Sequence, residues 1–222
     1  MTESHVASRV GSRETETAIL EAARDLLAEG GLDALSMRAV AARVGLSATA
    51  IYHWFQGKED LVDRVVQHGF QRSEAYMWKA IEDLPAGSLE RVAALGEAYI
   101  RFALENREYF KIIFAIQTPA PRQIEDVPGQ GGYRVLRQCV VEAMEAGNMR
   151  RAEPDLVVLY LWSLVHGLVT IFMACDPHAL LSEATCCSVQ DPRELTIGLF
   201  GHFRDLVDIG LTPEGARRGE NG

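Results

Sequence analysis

The sequence predicts an all-α chain of about nine helices, and three observations lead there. Apolar residues recur at spacings of three and four, while strand-like alternation bounded by turn residues is missing along the 222 residues. Glycine or proline breaks separate the periodic runs, often beside a serine or aspartate able to cap a helix. With 48% hydrophobic and 24% charged residues the composition is that of a packed globular protein, which excludes disorder and collagen as whole-chain states.

The elements follow in order. Ile19, Ala23, Leu26 and Leu27 give a first helix one apolar face, and Gly30-Gly31 stops it by permitting a left-handed backbone. Met37, Val40, Ala41 and Val44 repeat the pattern in a short second helix behind Ser36 as N-cap. Gly45 ends it, and Ser47 caps a third helix holding Ile51, Tyr52 and Phe55. Gly57-Lys58 opens a long fourth helix running to about residue 84, before the break at Pro85-Ala86-Gly87. Further helices are expected from Ser88 to Leu104, from about Asn106 to Gln117, and from about Gly132 to Ala146, with a proline-rich loop over Thr118 to Gly131. Pro154 suits the first turn of an eighth helix. Asp191-Pro192-Arg193-Glu194 combines an N-cap, a first-turn proline and a capping-box carboxylate for a ninth. A connector over 176–190 precedes it, and a polar tail over 211–222 follows.

The charge balance narrows the function. Lys plus Arg number 22 against 31 Asp plus Glu, a net charge of −9, so a polybasic nucleic-acid coat is excluded while a small, shape-specific DNA footprint is not. Met1 to Thr17 carries no secretory signal, and Cys139, Cys175, Cys186 and Cys187 are too few for a disulfide framework, so a reducing cytoplasm is the expected compartment. Leu156 to Ala174 lacks any Asp, Glu, Lys or Arg and nears transmembrane length. It nevertheless holds Ser163, His166, Gly167 and Thr170 and has no basic cluster beside it, so no membrane partner is expected. A helix buried against its own domain and against a partner is the reading preferred.

The informative stretch is Ser36 to Leu61, SMRAVAARVGLSATAIYHWFQGKEDL. Two short helices joined by a tight glycine turn are what a helix-turn-helix requires. Gly45 reverses the chain, and Ala41, Leu46 and Ile51 let the helices approach. The second of them presents Ser47, Ala48, Thr49, Ala50, Tyr52 and His53 in the half that enters a major groove. Phe55 reads as core. Tyr52 reads equally as core or as a partly packed ring with its hydroxyl free for phosphate.

The alanine-rich first helix, the Gly30-Gly31-Leu32 stop, and Ile51-Tyr52-His53-Trp54-Phe55 followed by Gly57-Lys58-Glu59-Asp60-Leu61 resemble the tetracycline-repressor (TetR) family over about the first 62 residues. Trp162, His166 and Gly167 further resemble the tryptophan–histidine–glycine (WHG) signature of one regulatory-domain subgroup. The resemblance implies an all-helical homodimer. Residues 1–62 would form an N-terminal arm and helix-turn-helix domain on a palindromic operator, and residues 63–210 a ligand-binding and dimerisation domain. The DNA-binding set it implies is Ser36, Arg38, Ser47, Ala48, Thr49, Ala50, Tyr52, His53, Trp54 and Lys58. Arg38 matches a residue reaching a guanine edge or phosphate, Ala48 to Ala50 the base-facing turn, and Tyr52 and His53 phosphate or base contacts. Trp54 lies at the rim. Lys58 starts the fourth helix, where its charge and the helix dipole both favour a phosphate. Ala48 and Ala50 carry no donors, so readout would lean on Arg38, Thr49, His53 and methyl contacts to thymine. Residues 1–60 hold six Lys plus Arg against nine Asp plus Glu, which implies weak nonspecific affinity.

The C-terminal half is rich in large apolar groups, most of them core. The cavity that the resemblance implies makes Phe102, Phe110, Phe114, Trp162 and His166 the candidate ligand-binding residues. Trp162 and His166 are one helical turn apart and share a face. The helices at about 154–174 and 192–208 are the expected homodimer contacts. No phosphate loop, nucleophile elbow or zinc-protease pattern occurs, so no enzyme activity and no cofactor are expected. The expected function is a repressor released from its operator by a small, largely apolar effector. The alternatives are a DNA-binding regulator answering to a protein partner, or a thiol or metal sensor using Cys175, Cys186 and Cys187.

Overall fold

The computed structural model describes residues 3–115 and 130–174, with 194, 196–198, 200–201 and 210–212 beyond them. Its helices are α1 (Glu3–Ala34), α2 (Met37–Val44), α3 (Ala48–Ile51), α4 (Lys58–Ile81), α5 (Leu89–Glu105), α6 (Arg107–Ala115), α7 (Gln130–Glu145) and α8 (Pro154–Ala174). No strand occurs among the described residues. Residues 194, 196–198, 200 and 201 are helical, and the rest of the expected ninth helix lies outside the described residues. So do Cys175, Cys186 and Cys187, the 176–190 connector, most of the 118–131 loop and most of the polar tail.

Local chemistry accounts for the boundaries. The break expected at Gly30-Gly31 is there: Gly31 has φ 64° and ψ −155°, and the chain resumes one short turn to Ala34. The helix begins earlier than its apolar face does, because Glu3 onward already lies in α1. Asn106, expected to open the sixth helix, instead ends α5: its backbone N–H donates to the Phe102 carbonyl at 2.8 Å. Its buried side chain donates to that same carbonyl at 3.2 Å and accepts from Arg72 at 3.3 Å. A buried amide with three such bonds is better placed at a helix end than inside one.

The chain forms two compact units, Met1–Gln71 with Arg107–Pro128, and Arg72–Asn106 with Gly129–Gly222. In the first, α1 packs on α2 and α6, and α2 on α3. Its buried residues include Ile19, Ala23, Val40, Ile51, Phe55, Leu61 and Tyr109. In the second, α5, α7 and α8 pack on one another. Val140, Ala143, Met144, Met149, Val157 and Val158 form one core cluster there.

α8 is buried on one side against its own unit, the part of the expected burial that a single chain can supply. By length and composition it could cross a membrane, yet only 22% of its most apolar window is buried. Val157, Val158, Val169 and Phe172 face the core. Leu156, Leu159, Tyr160, Leu164 and Ile171 stay exposed, at 67%, 53%, 52%, 37% and 52%. The chain's own second unit covers one side of the helix and leaves an apolar side in solvent.

Candidate functional site

The helix-turn-helix is assembled by short-range bonds that its sequence specifies. Ser36, in extended backbone, accepts the Ala39 N–H on its side chain at 3.1 Å and so starts α2. Gly45 ends α2 at φ 70° and ψ 27°, a left-handed conformation that a side chain would strain. Leu46 then donates its N–H back to the Ala41 carbonyl at 2.9 Å, and Ser47 accepts the Ala50 N–H at 3.1 Å to open α3. Ile51 and Phe55, at 0% and 1% exposure, root this segment in the core.

The opposite side of the segment faces solvent. Arg38, Thr49, Tyr52, His53 and Lys58 are exposed, and Ala48, Ala50 and Trp54 are half-buried. Tyr52, the residue left open between core and contact, is 56% exposed. Ser36 and Ser47 are exposed, but each hydroxyl oxygen is already engaged in its cap. The Lys58 ammonium donates to the Leu32 carbonyl, which ties the start of α4 to the segment after the α1 break. An ammonium has three donors, so this bond leaves capacity for a phosphate. Glu59 and Asp60 share the first turn of α4, and Asp60 accepts the Gln56 N–H at 2.7 Å. Their negative charge offsets part of the attraction that the helix N-terminus offers an anion. Arg43 is engaged by Glu29 through two bonds of 2.8 and 2.9 Å, which hold the Glu29 carboxyl below its ordinary range.

The second unit contains an apolar cavity of about 330 Å³. Met77, Leu95, Tyr99, Trp162, Leu164 and Ile171 are among the residues lining it, and no charged residue lines it among the described residues. At its wall the Trp162 indole N–H donates to the Tyr99 oxygen at 3.4 Å, and the Tyr99 hydroxyl and His166 Nδ1 share a bond of 2.8 Å. A phenolic hydroxyl has one donor and two acceptor lone pairs, so Tyr99 can accept from Trp162 and still bond His166 Nδ1, the direction of that bond following the imidazole tautomer. Burial pushes the Tyr99 hydroxyl above its ordinary value and the His166 imidazole below its own, which keeps both groups neutral.

The expected ligand-binding residues separate here. Trp162 lines the cavity, and His166 stands one bond behind the lining Tyr99. Phe102 is 1% exposed, stacks edge-on against Tyr76 at 5.6 Å and is not among the lining residues. Phe110 and Phe114 belong to the first unit, where their rings lie 4.8 Å apart and Phe114 also meets Phe70. Tyr99 was not a sequence candidate, since its partners Trp162 and His166 are 63 and 67 positions away. Among the described residues no group of three or more His, Cys, Asp or Glu could hold a metal ion. Cys139 is buried, and burial pushes its thiol up.

A stability effect follows from His166. Its folded value lies below the ordinary 6.5, so the unfolded chain takes up the extra proton. The contribution is complete above about pH 6.5 and is lost as pH falls toward the depressed folded value. His166→Gln should therefore show a smaller drop in melting temperature between pH 7.5 and 5.5 than the wild type. Equal drops in parallel melting curves would remove His166 as the cause.

Comparison with known proteins agrees with this architecture. The family model for bacterial regulatory proteins of the tetR family matches residues 19–65, and the tetracyclin repressor-like C-terminal domain matches residues 92–179. The HTH-type transcriptional repressor KstR2 of Mycobacterium tuberculosis is 37% identical over 90 residues, 40% of this chain. The match spans 44% of that relative's length, less than half of it. A protein of unknown function from Rhodococcus sp. RHA1 has the same fold, with a TM-score of 0.72 and 24% identity over 90% of this chain and 96% of its own. The Bacillus subtilis regulator FadR, solved in complex with stearoyl-CoA, shares it at a TM-score of 0.64 and 14% identity, covering 83% of this chain and 95% of that one. Two family models, one over the helix-turn-helix and one over the helices around the cavity, thus agree, and the chain belongs to the tetR family of bacterial regulatory proteins.

Proposed function

We propose that this protein is a dimeric, sequence-specific DNA-binding transcriptional regulator of the bacterial cytoplasm, a repressor released from a palindromic operator by a small, largely apolar effector. The observation that carries the reading is the capped helix-turn-helix with a buried Ile51–Phe55 root and an exposed opposite side. The uncharged cavity in the second unit supports the effector, and the repressor name of the relative KstR2 supports the sign of regulation. Residues 1–62 are assigned to DNA and residues 63–210 to the effector and the dimer, and the spacing of Trp162, His166 and Gly167 supports reading the second part as a tryptophan–histidine–glycine regulatory domain. Two recognition helices fit successive major-groove faces only at a separation of one helical turn of DNA, so an effector preferring another arrangement of the dimer weakens binding. FadR's complex with stearoyl-CoA is an example of this fold holding a ligand with a long apolar part.

Selection of bound fragments from random genomic DNA tests the reading, with a single palindromic site as the expected product. Recovery of no preferred sequence would sink it. On that site Arg38→Ala should relax preference at one base position per half-site, at a cost of roughly 1–3 kcal/mol there. Lys58→Ala should weaken all sequences alike and lower the salt slope by about 0.9 per subunit for one lost phosphate contact. Gel shifts at several salt concentrations decide both. An unchanged slope would leave Lys58 with its Leu32 bond as its sole role.

The dimer is assigned to α8 together with the helix expected at 192–208. From Leu156 to Ile171 the exposed side of α8 carries no charge, and Asp155 before it is paired with Arg137, so the same face on two copies can meet about a two-fold axis without repulsion. Elsewhere a net charge of −9 drives copies apart.

A further inference from the structure

Among the described residues lining the cavity of the second unit, three side chains carry a nitrogen or oxygen: Tyr99, Trp162 and Ser163. Ser163 gives its proton to the Leu159 carbonyl at 2.7 Å, within α8. Tyr99 shares the 2.8 Å bond with His166 Nδ1. The Trp162 indole N–H has the longest bond of the three. Its acceptor, the Tyr99 oxygen, stands at 3.4 Å, where N–H···O bonds ordinarily close to about 2.9–3.0 Å. An indole nitrogen only donates, so a better-placed acceptor inside the cavity would strengthen its one bond.

The surroundings also decide the charge of what could supply that acceptor. No Lys, Arg, Asp or Glu lines the cavity among the described residues. His166, behind Tyr99, is held neutral by burial, so it offers a carboxylate no counter-charge. Moving an ionised carboxylate from water into such a site costs far more than one hydrogen bond returns. A neutral carbonyl oxygen loses much less.

We propose that the effector is a neutral, largely apolar molecule bearing a carbonyl-type oxygen, and that the Trp162 indole N–H donates to that oxygen in place of Tyr99. The inference rests on the effector reading above and adds the chemical class of the effector and the residue that selects it. Tyr99 keeps its shorter bond with His166, so a 3.4 Å bond is exchanged for one of ordinary length and the 2.8 Å bond stays. At about 330 Å³ the cavity lies near the lower end of small-molecule sites, which suits a compact skeleton. Apolar contact supplies most of the affinity. The indole supplies the choice between a carbonyl compound and the hydrocarbon of the same shape.

The test uses the full chain and three naphthalenes of nearly one shape: 2-acetylnaphthalene, its hydrocarbon isostere 2-isopropenylnaphthalene, and 2-naphthoate. Equilibrium dialysis at neutral pH gives each affinity. Both neutral probes should bind the wild type, and 2-naphthoate should bind at least about a hundredfold more weakly than the ketone. Trp162→Phe removes the N–H and keeps an aromatic ring, so the ketone-to-hydrocarbon affinity ratio should fall about three- to tenfold. Tyr99→Phe removes the acceptor that the ligand displaces, so the ratio should hold or rise. Circular dichroism checks that both variants fold. The wild type supplies a readout that needs no altered cavity. Of the indole N–H resonances of Trp54, Trp78 and Trp162, that of Trp162 alone should move downfield with the ketone, and it should not do so with the hydrocarbon. Ala93→Phe, which fills the cavity from α5, should abolish binding of both neutral probes. An unchanged ratio in Trp162→Phe, or a Trp162 resonance indifferent to the ketone, would overturn the inference while leaving the cavity an effector site. A ratio that falls in Tyr99→Phe would do the same and make Tyr99 the selecting residue. So would 2-naphthoate binding as tightly as the ketone. Neutral probes that fail to bind, or that bind Ala93→Phe as well as the wild type, would remove the effector reading and the inference with it.

Discussion

Gly167→Leu is expected to raise the melting temperature of the isolated chain and to weaken its dimer by at least about tenfold. The two effects have opposite signs because they come from different surroundings. Within one copy, glycine inside a helix costs about 1 kcal/mol relative to alanine through backbone entropy, and leucine is among the better helix formers. Among the described residues no neighbour opposes the change, because a Cβ at Gly167 meets nothing within 4 Å. Between copies, the isobutyl group occupies the space through which a second α8 would approach. Sedimentation across a concentration series, with melting curves of the same samples, separates the two. A variant that is stabilised and dimerises like the wild type would show that nothing packs on Gly167.

The second large effect belongs to the root of the recognition segment. Phe55→Ala should cost about 3–5 kcal/mol of stability, the usual loss for a fully buried aromatic side chain that leaves a cavity behind. Phe55 is 1% exposed, and Ile51, one turn earlier, is 0% exposed. Both lie on the inner side of the segment that presents Thr49 and Tyr52 outward. Operator binding should fall with stability, because α3 has only four helical residues and little means of holding itself in place. Tyr52→Ala provides the contrast: at 56% exposure it should change stability by no more than about 0.5 kcal/mol while still weakening DNA binding. Urea unfolding and gel shifts on both variants check the pair. A loss below about 1 kcal/mol for Phe55→Ala would mean that the segment is held in some other way.

Much of the architecture was legible in the sequence because its determinants act over a few residues. The serine caps at Ser36, Ser47 and Ser88 each accept an N–H three positions on, a bond that any reader of the chain can anticipate. The turns at Gly31 and Gly45 need a left-handed backbone, and glycine alone adopts it without strain. The apolar spacing that marks Ile51 and Phe55 as inward also leaves Thr49 and Tyr52 outward, so the exposed side of the segment was legible in the sequence. The same locality explains the misplaced start of the sixth helix. Asn106 looks acceptable at either end of a helix, and its bonds to Phe102 and Arg72 decide between them.

What the tertiary structure decided depends on residues far apart in the chain. Among the aromatic residues of the C-terminal half, periodicity marks all as apolar and cannot say which face a cavity; packing puts Tyr99 and Trp162 at its wall and turns Phe102 against Tyr76. The bond between Tyr99 and His166 spans 67 positions, and that of Lys58 to the Leu32 carbonyl spans 26, so neither leaves a trace in local spacing. The uncharged run of α8 was plain from the sequence, but composition is the same on every side of a helix. The placement of α5 and α7 against one side determines that Leu159, Tyr160 and Ile171 remain exposed. Local spacing sets which residues share a face, and the long-range packing of that face sets what it touches.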